Sequence, residues 1–259
     1  MASHALAEPN VESRAQIPVK ERLIVALDVP SVELARTMVD ELGDTVEFFK
    51  IGMQLQFGGG IGYAQELIQK GKKVFLDSKL FDIDETVERA VENVAKMGVN
   101  FLTVHGNGKT IQAAVRGRGE TELKVFSVTV LTSLDNDDLA DIFGRAIDIQ
   151  ELVKSRAEKA LEAGADGVIA SGQEADLIRQ LVIGKVKVLD QSGYERPFRI
   201  VTPGIRLPGG AHGDQKRVTS PSEAIKAGAD YLVVGRPITQ AQSPRAVAEE
   251  ILREIESAV

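Results

Sequence analysis

Short apolar runs rich in Val, Ile and Phe alternate eight times with longer segments of helical periodicity. Strand-length apolar runs and longer stretches of 3.6-residue period separate by length and β-branched content. The strands are predicted at Leu23–Asp28, Phe48–Ile51, Lys73–Asp77, Phe101–His105, Lys124–Val130, Gly167–Ala170, Arg199–Thr202 and Tyr231–Val234. Between them lie predicted helices from Ser31 to Leu42, Tyr63 to Lys70, Asp84 to Met97, and after Lys109. Others end near Ala163, cover Glu174–Leu181 and Ser220–Ala227, and start near Pro244. Strands that are continuously apolar are covered on both faces, which requires parallel pairing with helices outside. Eight such units in a chain of this length predict an α/β fold, a (β/α)8 TIM barrel. The joints MGVNF, AGADG and AGADY each place glycine between a helix and the next strand. A doubly wound sheet fits less well, because the first turn, LDVPS, has no glycine. The run Gly58–Gly62 departs from G-x-G-x-x-G and reads as a helix entry. Residues 1–20 mix charge, Pro and Asn and read as a flexible leader, leaving 21–259 as one barrel domain.

Composition then removes chemistries. There is no cysteine, so disulfides, thiol nucleophiles and thiolate metal sites are excluded. Of the three histidines, His4 falls in the leader, which leaves His105 and His212 and disfavours a histidine metal site. A formal charge of −7 argues against nucleic acid as a partner, since a basic footprint supplies most of that affinity. A basic pocket for a small anion stays compatible with that sum. No run approaches the roughly 18 apolar residues of a membrane helix. The start lacks the basic-then-apolar pattern of an export signal, and a cytoplasmic location is expected.

In such a barrel the active site gathers at the carboxyl ends of the strands. Asp28, Lys50, Asp77, Lys79 and Asp82 are ionisable groups from three strand ends, with Thr86 and His105 nearby. Buried charges are costly unless paired, and alternating Asp and Lys gives each an opposite neighbour. The two-residue spacing of Asp77 and Lys79 puts both on one side of an extended chain. A fixed carboxylate can repel a negative group on a substrate, while an adjacent ammonium stabilises and then protonates a carbanion. That suits decarboxylation without a cofactor. Proton abstraction beside a carbonyl and aldol cleavage through a lysine Schiff base fit the same residues. Thr132 and Ser133 follow strand five. TPGIR (Pro203, Gly204, Arg206) and VVGRP (Gly235, Arg236) follow strands seven and eight, where barrels commonly bind phosphate. The Gly-rich stretch Leu207–Thr219 between them reads as a closing lid.

These motifs, together with ALD at 26–28, FKIG at 49–52, D-x-K-x-x-D-I at Asp77–Ile83, TVLTS at 129–133 and GDQ at 213–215, resemble the orotidine 5'-phosphate decarboxylase family. The resemblance runs in order from Leu23 to the C-terminus. It implies conversion of orotidine 5'-monophosphate to UMP and CO2, the last step of de novo pyrimidine synthesis. It also implies a barrel homodimer with neither metal nor organic cofactor. Lys79 would protonate C6 of the pyrimidine, and Asp77 would press on the substrate carboxylate. Lys50 and Asp82 would complete the charge network, with Asp82 and Thr86 reaching the neighbouring subunit's site. Asp28 and Lys50 would hold ribose hydroxyls, with Thr86 on the ribose and Thr132 on the base. Ile83 and Pro203 would line the substrate. Arg206, Gln215, Gly235 and Arg236 would hold the phosphate. Many family members carry Pro where Asp84 stands and His where Phe81 stands. Residues 187–197 read as peripheral decoration. Two other readings are a magnesium-dependent sugar-phosphate decarboxylase or hexulose-phosphate synthase of the same superfamily, and a non-catalytic nucleotide-binding barrel. TVLTS and GDQ argue against the first, and the intact Asp77–Lys79 pair argues against the second.

Overall fold

The computed structural model describes residues 17–183, 197–207 and 216–259. Eight parallel strands close into a barrel in sequence order. They are β1 (Leu23–Ala26), β2 (Phe48–Gly52), β3 (Lys73–Leu80), β4 (Phe101–His105), β5 (Lys124–Val128), β6 (Gly167–Ile169), β7 (Arg199–Thr202) and β8 (Tyr231–Val234). The (β/α)8 expectation is therefore met. Polar caps start several of the covering helices: Ser31, Asn107, Asp135, Asp148 and Ser220 each accept backbone N–H bonds from the first turn. Among the described residues no helix is long and apolar enough to cross a membrane.

Boundaries differ from expectation in ways that matter at the mouth. β1, β5 and β6 stop short of Asp28, Val130 and Ala170, so those residues belong to loops. The segment expected to be helical up to Ala163 divides into helices Asn136–Phe143 and Ile149–Glu162. β3 runs three residues beyond Asp77. The glycine run enters its helix through a kinked turn, with Gly59 at a φ of 92°. Residues 17–20, counted with the leader in the sequence, are described as part of the fold. Ile17 is buried with the barrel's inner cluster and Val19–Arg22 form a helical turn, because Ile-Pro-Val supplies apolar surface that the barrel base can bury.

Strand alternation divides the core in two. Leu23, Val25, Phe49, Ile51, Val74, Leu76, Leu102 and Val104 pack outward with the helices. Ile24, Ala26, Phe48, Phe75, Phe101, Phe126, Val201, Tyr231 and Val233 form the cluster inside the barrel. The centre of that inner cluster is Phe101. Its ring centroid lies 4.6 Å from Phe126, 4.7 Å from Phe48, 5.1 Å from Tyr231 and 6.0 Å from Phe75. These are edge-on and tilted contacts that add to area burial. The period of two then fixes what stands above the rings: Lys50 follows Phe48, Asp77 follows Phe75 and Thr103 follows Phe101. An aromatic floor thus carries a polar layer directly above it.

Phe101→Ala should open a cavity at the centre of this floor and cost about 3–5 kcal/mol. Urea unfolding of the two proteins measures it, and a loss below about 1 kcal/mol would contradict the central role assigned to the ring.

Candidate active site

Four of the predicted charges meet in a line at the mouth. The Lys50 ammonium lies 3.0 Å from Asp28 Oδ1 and 3.2 Å from Asp77 Oδ2, and Lys79 Nζ lies 2.7 Å from Asp77 Oδ1. Side-chain exposure along Asp28, Lys50, Asp77 and Lys79 is 50, 9, 14 and 27%. The middle of the line is buried and its ends open outward. Gly52 makes room for it. A Cβ built there would stand 2.5 Å from Asp28 Oδ1 and 3.0 Å from Lys50 Nζ, so a side chain at the end of β2 would push the pair apart.

Lys79 reaches Asp77 by an unexpected route. Leu76 pairs with Leu102 and Leu80 with Val104, so β3 spends four residues where β4 spends two. The extra residues form a bulge. Within it Lys79 has a φ of 47°, and it is the only described non-glycine residue with positive φ. Regular strand alternation is therefore not what puts the two side chains together. A residue outside the predicted set shapes the bulge: Thr103 of β4, fully buried. Its Oγ1 accepts from Lys79 N–H at 3.0 Å and donates to Asp77 Oδ1 at 2.9 Å. A hydroxyl two residues after Phe101, at an inward position of the strand FLTVH, was the available sign.

Burial alone would raise the Asp77 carboxyl. The ammonium groups of Lys50 and Lys79, helped by hydrogen bonds from Lys79 and Thr103, outweigh it and hold the group below its ordinary value of 3.8. Burial would likewise lower Lys50, but Asp77 and Asp28 outweigh it and hold the ammonium above 10.5. Both groups are therefore charged at neutral pH. His105, at the end of β4, is lowered by burial, with Arg156 and Lys79 acting in the same direction, and is neutral there.

The other predicted residues are placed as follows. Asp82, Ile83 and Thr86 are exposed beyond β3. Asp82 Oδ1 accepts from Ile83 N–H at 2.6 Å and forms no ion pair with any described residue. Asp82 thus stands apart from the Asp28–Lys50–Asp77–Lys79 line of its own chain. Thr132 is buried after β5, and its carbonyl accepts from Lys216 and Arg217 N–H at 3.2 and 3.3 Å. Pro203 and Arg206 follow β7. Arg206 donates its N–H to Thr219 O at 3.0 Å and its guanidinium to Ile205 O at 2.8 Å. Arg236 is exposed at the start of a short helix after β8, preceded by Gly235. Gln215, His212, His4, residues 187–196 and the lid's centre, 208–215, lie outside the described residues.

Arg217 is a further residue that the motif reading passed over. Buried itself, it donates to Glu174 Oε1 at 2.5 Å, to Val130 O at 3.2 Å and to Leu131 O at 3.0 Å. It ties the loop after β5, which carries Thr132, to the loop after β6. Among the described residues no three His, Asp or Glu side chains gather as a metal-ligand group. Between Asp28 and Asp77, where a cation could bridge two carboxylates, stands the Lys50 ammonium.

The sequence model of the family described as "Orotidine 5'-phosphate decarboxylase / HUMPS family" matches residues 21–251. The orotidine 5'-phosphate decarboxylase of Nitrobacter winogradskyi is 49% identical over 240 residues, covering 93% of this chain and 95% of the relative. That of Bradyrhizobium diazoefficiens is 47% identical over 245 residues, covering 95 and 98%. The crystal structure of the orotidine 5'-phosphate decarboxylase from Lactobacillus acidophilus aligns with a TM-score of 0.74 at 36% identity, covering 91% of this chain and 99% of that one.

A carboxyl held low by its folded neighbours adds stability that is present above its unfolded value and lost as the pH falls through the folded one. Side-chain carboxyl NMR should give Asp77 a midpoint below 3.8 in the parent and a higher one in Lys50→Met. A midpoint unchanged by that substitution would remove Lys50 from the account.

Proposed function

The chain belongs to the orotidine 5'-phosphate decarboxylase / HUMPS family, and on that footing we infer that it converts orotidine 5'-monophosphate to UMP and CO2, the last step of de novo pyrimidine synthesis. The observation that carries the reading is the Asp28–Lys50–Asp77–Lys79 line at the carboxyl mouth. Asp77 is anionic and held between two ammonium groups. A substrate carboxylate placed against it is repelled, and the repulsion falls as that carboxylate leaves as CO2. The C6–carboxyl bond breaks with its electron pair retained at C6. Lys79 Nζ, beside Asp77, stabilises that pair and delivers the proton that makes UMP, and solvent reprotonates the amine.

Within this reading Asp28 and Lys50 hold ribose hydroxyls, Thr132 contacts the base, and Ile83 and Pro203 line the substrate. Arg206, Gln215, Gly235 and Arg236 hold the phosphate. Among the described residues a Cβ built at Gly235 would meet only Ala26, at 3.6 Å, so their packing does not demand glycine there. The close approach of a phosphate to the backbone supplies a reason. The reaction requires neither metal nor organic cofactor and runs in the cytoplasm.

The working form is a homodimer in which Asp82 and Thr86 enter the neighbouring site. Phe81 and Ile83, 66 and 75% exposed, flank Asp82. Phe57 and Met53, 90 and 53% exposed, follow the adjacent strand β2. The Ser78 hydroxyl of β3 donates to Gln56 Oε1 at 3.0 Å and ties β3 to the segment after β2. An apolar rim around an unpaired carboxylate suits a second copy of the chain.

The family's description covers a second name, and the two relatives compared favour the decarboxylase. Loss of orotidine 5'-monophosphate absorbance should continue after exhaustive chelation. A loss of activity that magnesium restores would move the assignment to the sugar-phosphate enzymes. Lys79→Ala should lower kcat by about a thousandfold or more while UMP still binds. A parental kcat in that variant would remove Lys79 as proton donor.

Mixing inactive Lys79→Ala and Asp82→Ala proteins tests the shared site. Hybrid dimers place both defects in one site and leave the other intact, so partial activity should return. A mixture as inactive as its parts would place Asp82 in its own subunit's site.

A further inference from the structure

We propose that Thr103 is a positioning residue for this decarboxylation: its hydroxyl fixes Asp77 and Lys79 relative to each other across the bulge in β3. The inference rests on the function proposed above and adds to it a residue that never meets the substrate. Thr103 points inward between Phe101 below and His105 above, and no part of it reaches solvent. A hydroxyl in such a place must be satisfied by protein groups. Its two partners are Lys79 N–H, at 3.0 Å, and Asp77 Oδ1, at 2.9 Å. One small side chain therefore holds the backbone of the proton donor and the carboxylate that repels the substrate.

The backbone it holds is the strained one. Positive φ crowds the β-carbon of any residue but glycine, and such a conformation persists where surroundings over-determine it. At Lys79 the bond to Thr103 is made by the strained residue's own N–H. Asp77 Oδ1 also receives the Lys79 ammonium at 2.7 Å, which closes a ring: Thr103 hydroxyl, Asp77 carboxylate, Lys79 side chain, Lys79 backbone. Deleting the hydroxyl opens that ring at both bonds. The ion pair survives, but its position over the aromatic floor is no longer set.

Thr103→Val keeps the shape and removes the hydroxyl, and Thr103→Ser keeps the hydroxyl and removes the methyl. In steady-state assays on orotidine 5'-monophosphate, Thr103→Val should lose about a hundredfold in kcat, the size of effect expected from a displacement near 1 Å. KM and UMP inhibition should stay within about twofold, because phosphate and ribose contacts lie elsewhere. Thr103→Ser should recover most of the lost kcat. Amide exchange at Lys79 should be slow in the parent and in Thr103→Ser, and faster in Thr103→Val. Parental kcat in Thr103→Val, or a loss that Thr103→Ser does not restore, overturns the proposal. A parent inactive on orotidine 5'-monophosphate would instead refute the function on which it rests.

Discussion

One carboxylate, Asp77, accepts charge from both sides at the top of a closed barrel. Lys50 lies 3.2 Å from one oxygen and Lys79 2.7 Å from the other. Burial of a lone anion there would be prohibitive. Two cations and a hydroxyl reverse the balance and keep it ionised below its ordinary value. Most features of the mouth follow from that need. Gly52 leaves space for Asp28 beside Lys50, the bulge in β3 swings Lys79 back onto Asp77, and Thr103 fills the remaining hydrogen-bonding position. The charges are held by one another before any ligand arrives, and catalysis by preorganised electrostatics depends on that.

The architecture beneath the charges comes from alternation. Phe48, Phe75 and Phe101 each stand two residues before a polar inward side chain on the same strand. Barrel closure brings those strands side by side and stacks the two layers. Rings below provide a rigid, dry base, and the low dielectric strengthens the electrostatic terms above it.

Much of this was legible from the residues. Eight alternating units give the barrel because continuous apolar strands have few other solutions. Asp28, Lys50, Asp77 and Lys79 were readable as one set because all four stand at or just past strand ends. What escaped was local and three-dimensional. The bulge depends on how β3 registers against β4, which no spacing rule reports. Thr103 looked like an ordinary strand residue because threonine suits strands anyway. Arg217 sits among other polar residues, and only the packed structure shows it locked on Glu174 and the carbonyls of Val130 and Leu131. Asp82, two residues past the end of β3, is exposed and bonds only the backbone N–H of Ile83 among the described residues.

The aromatic floor has a consequence for traffic. Phe101 and the four rings around it fill the barrel's interior, with Ile17 joining the same cluster. Among the described residues these rings close the interior beneath the charges, so access to the charged line is from the carboxyl mouth. A ligand that reaches the charged line from that side also leaves by it, so the shape of the rim bears on exit as much as on entry.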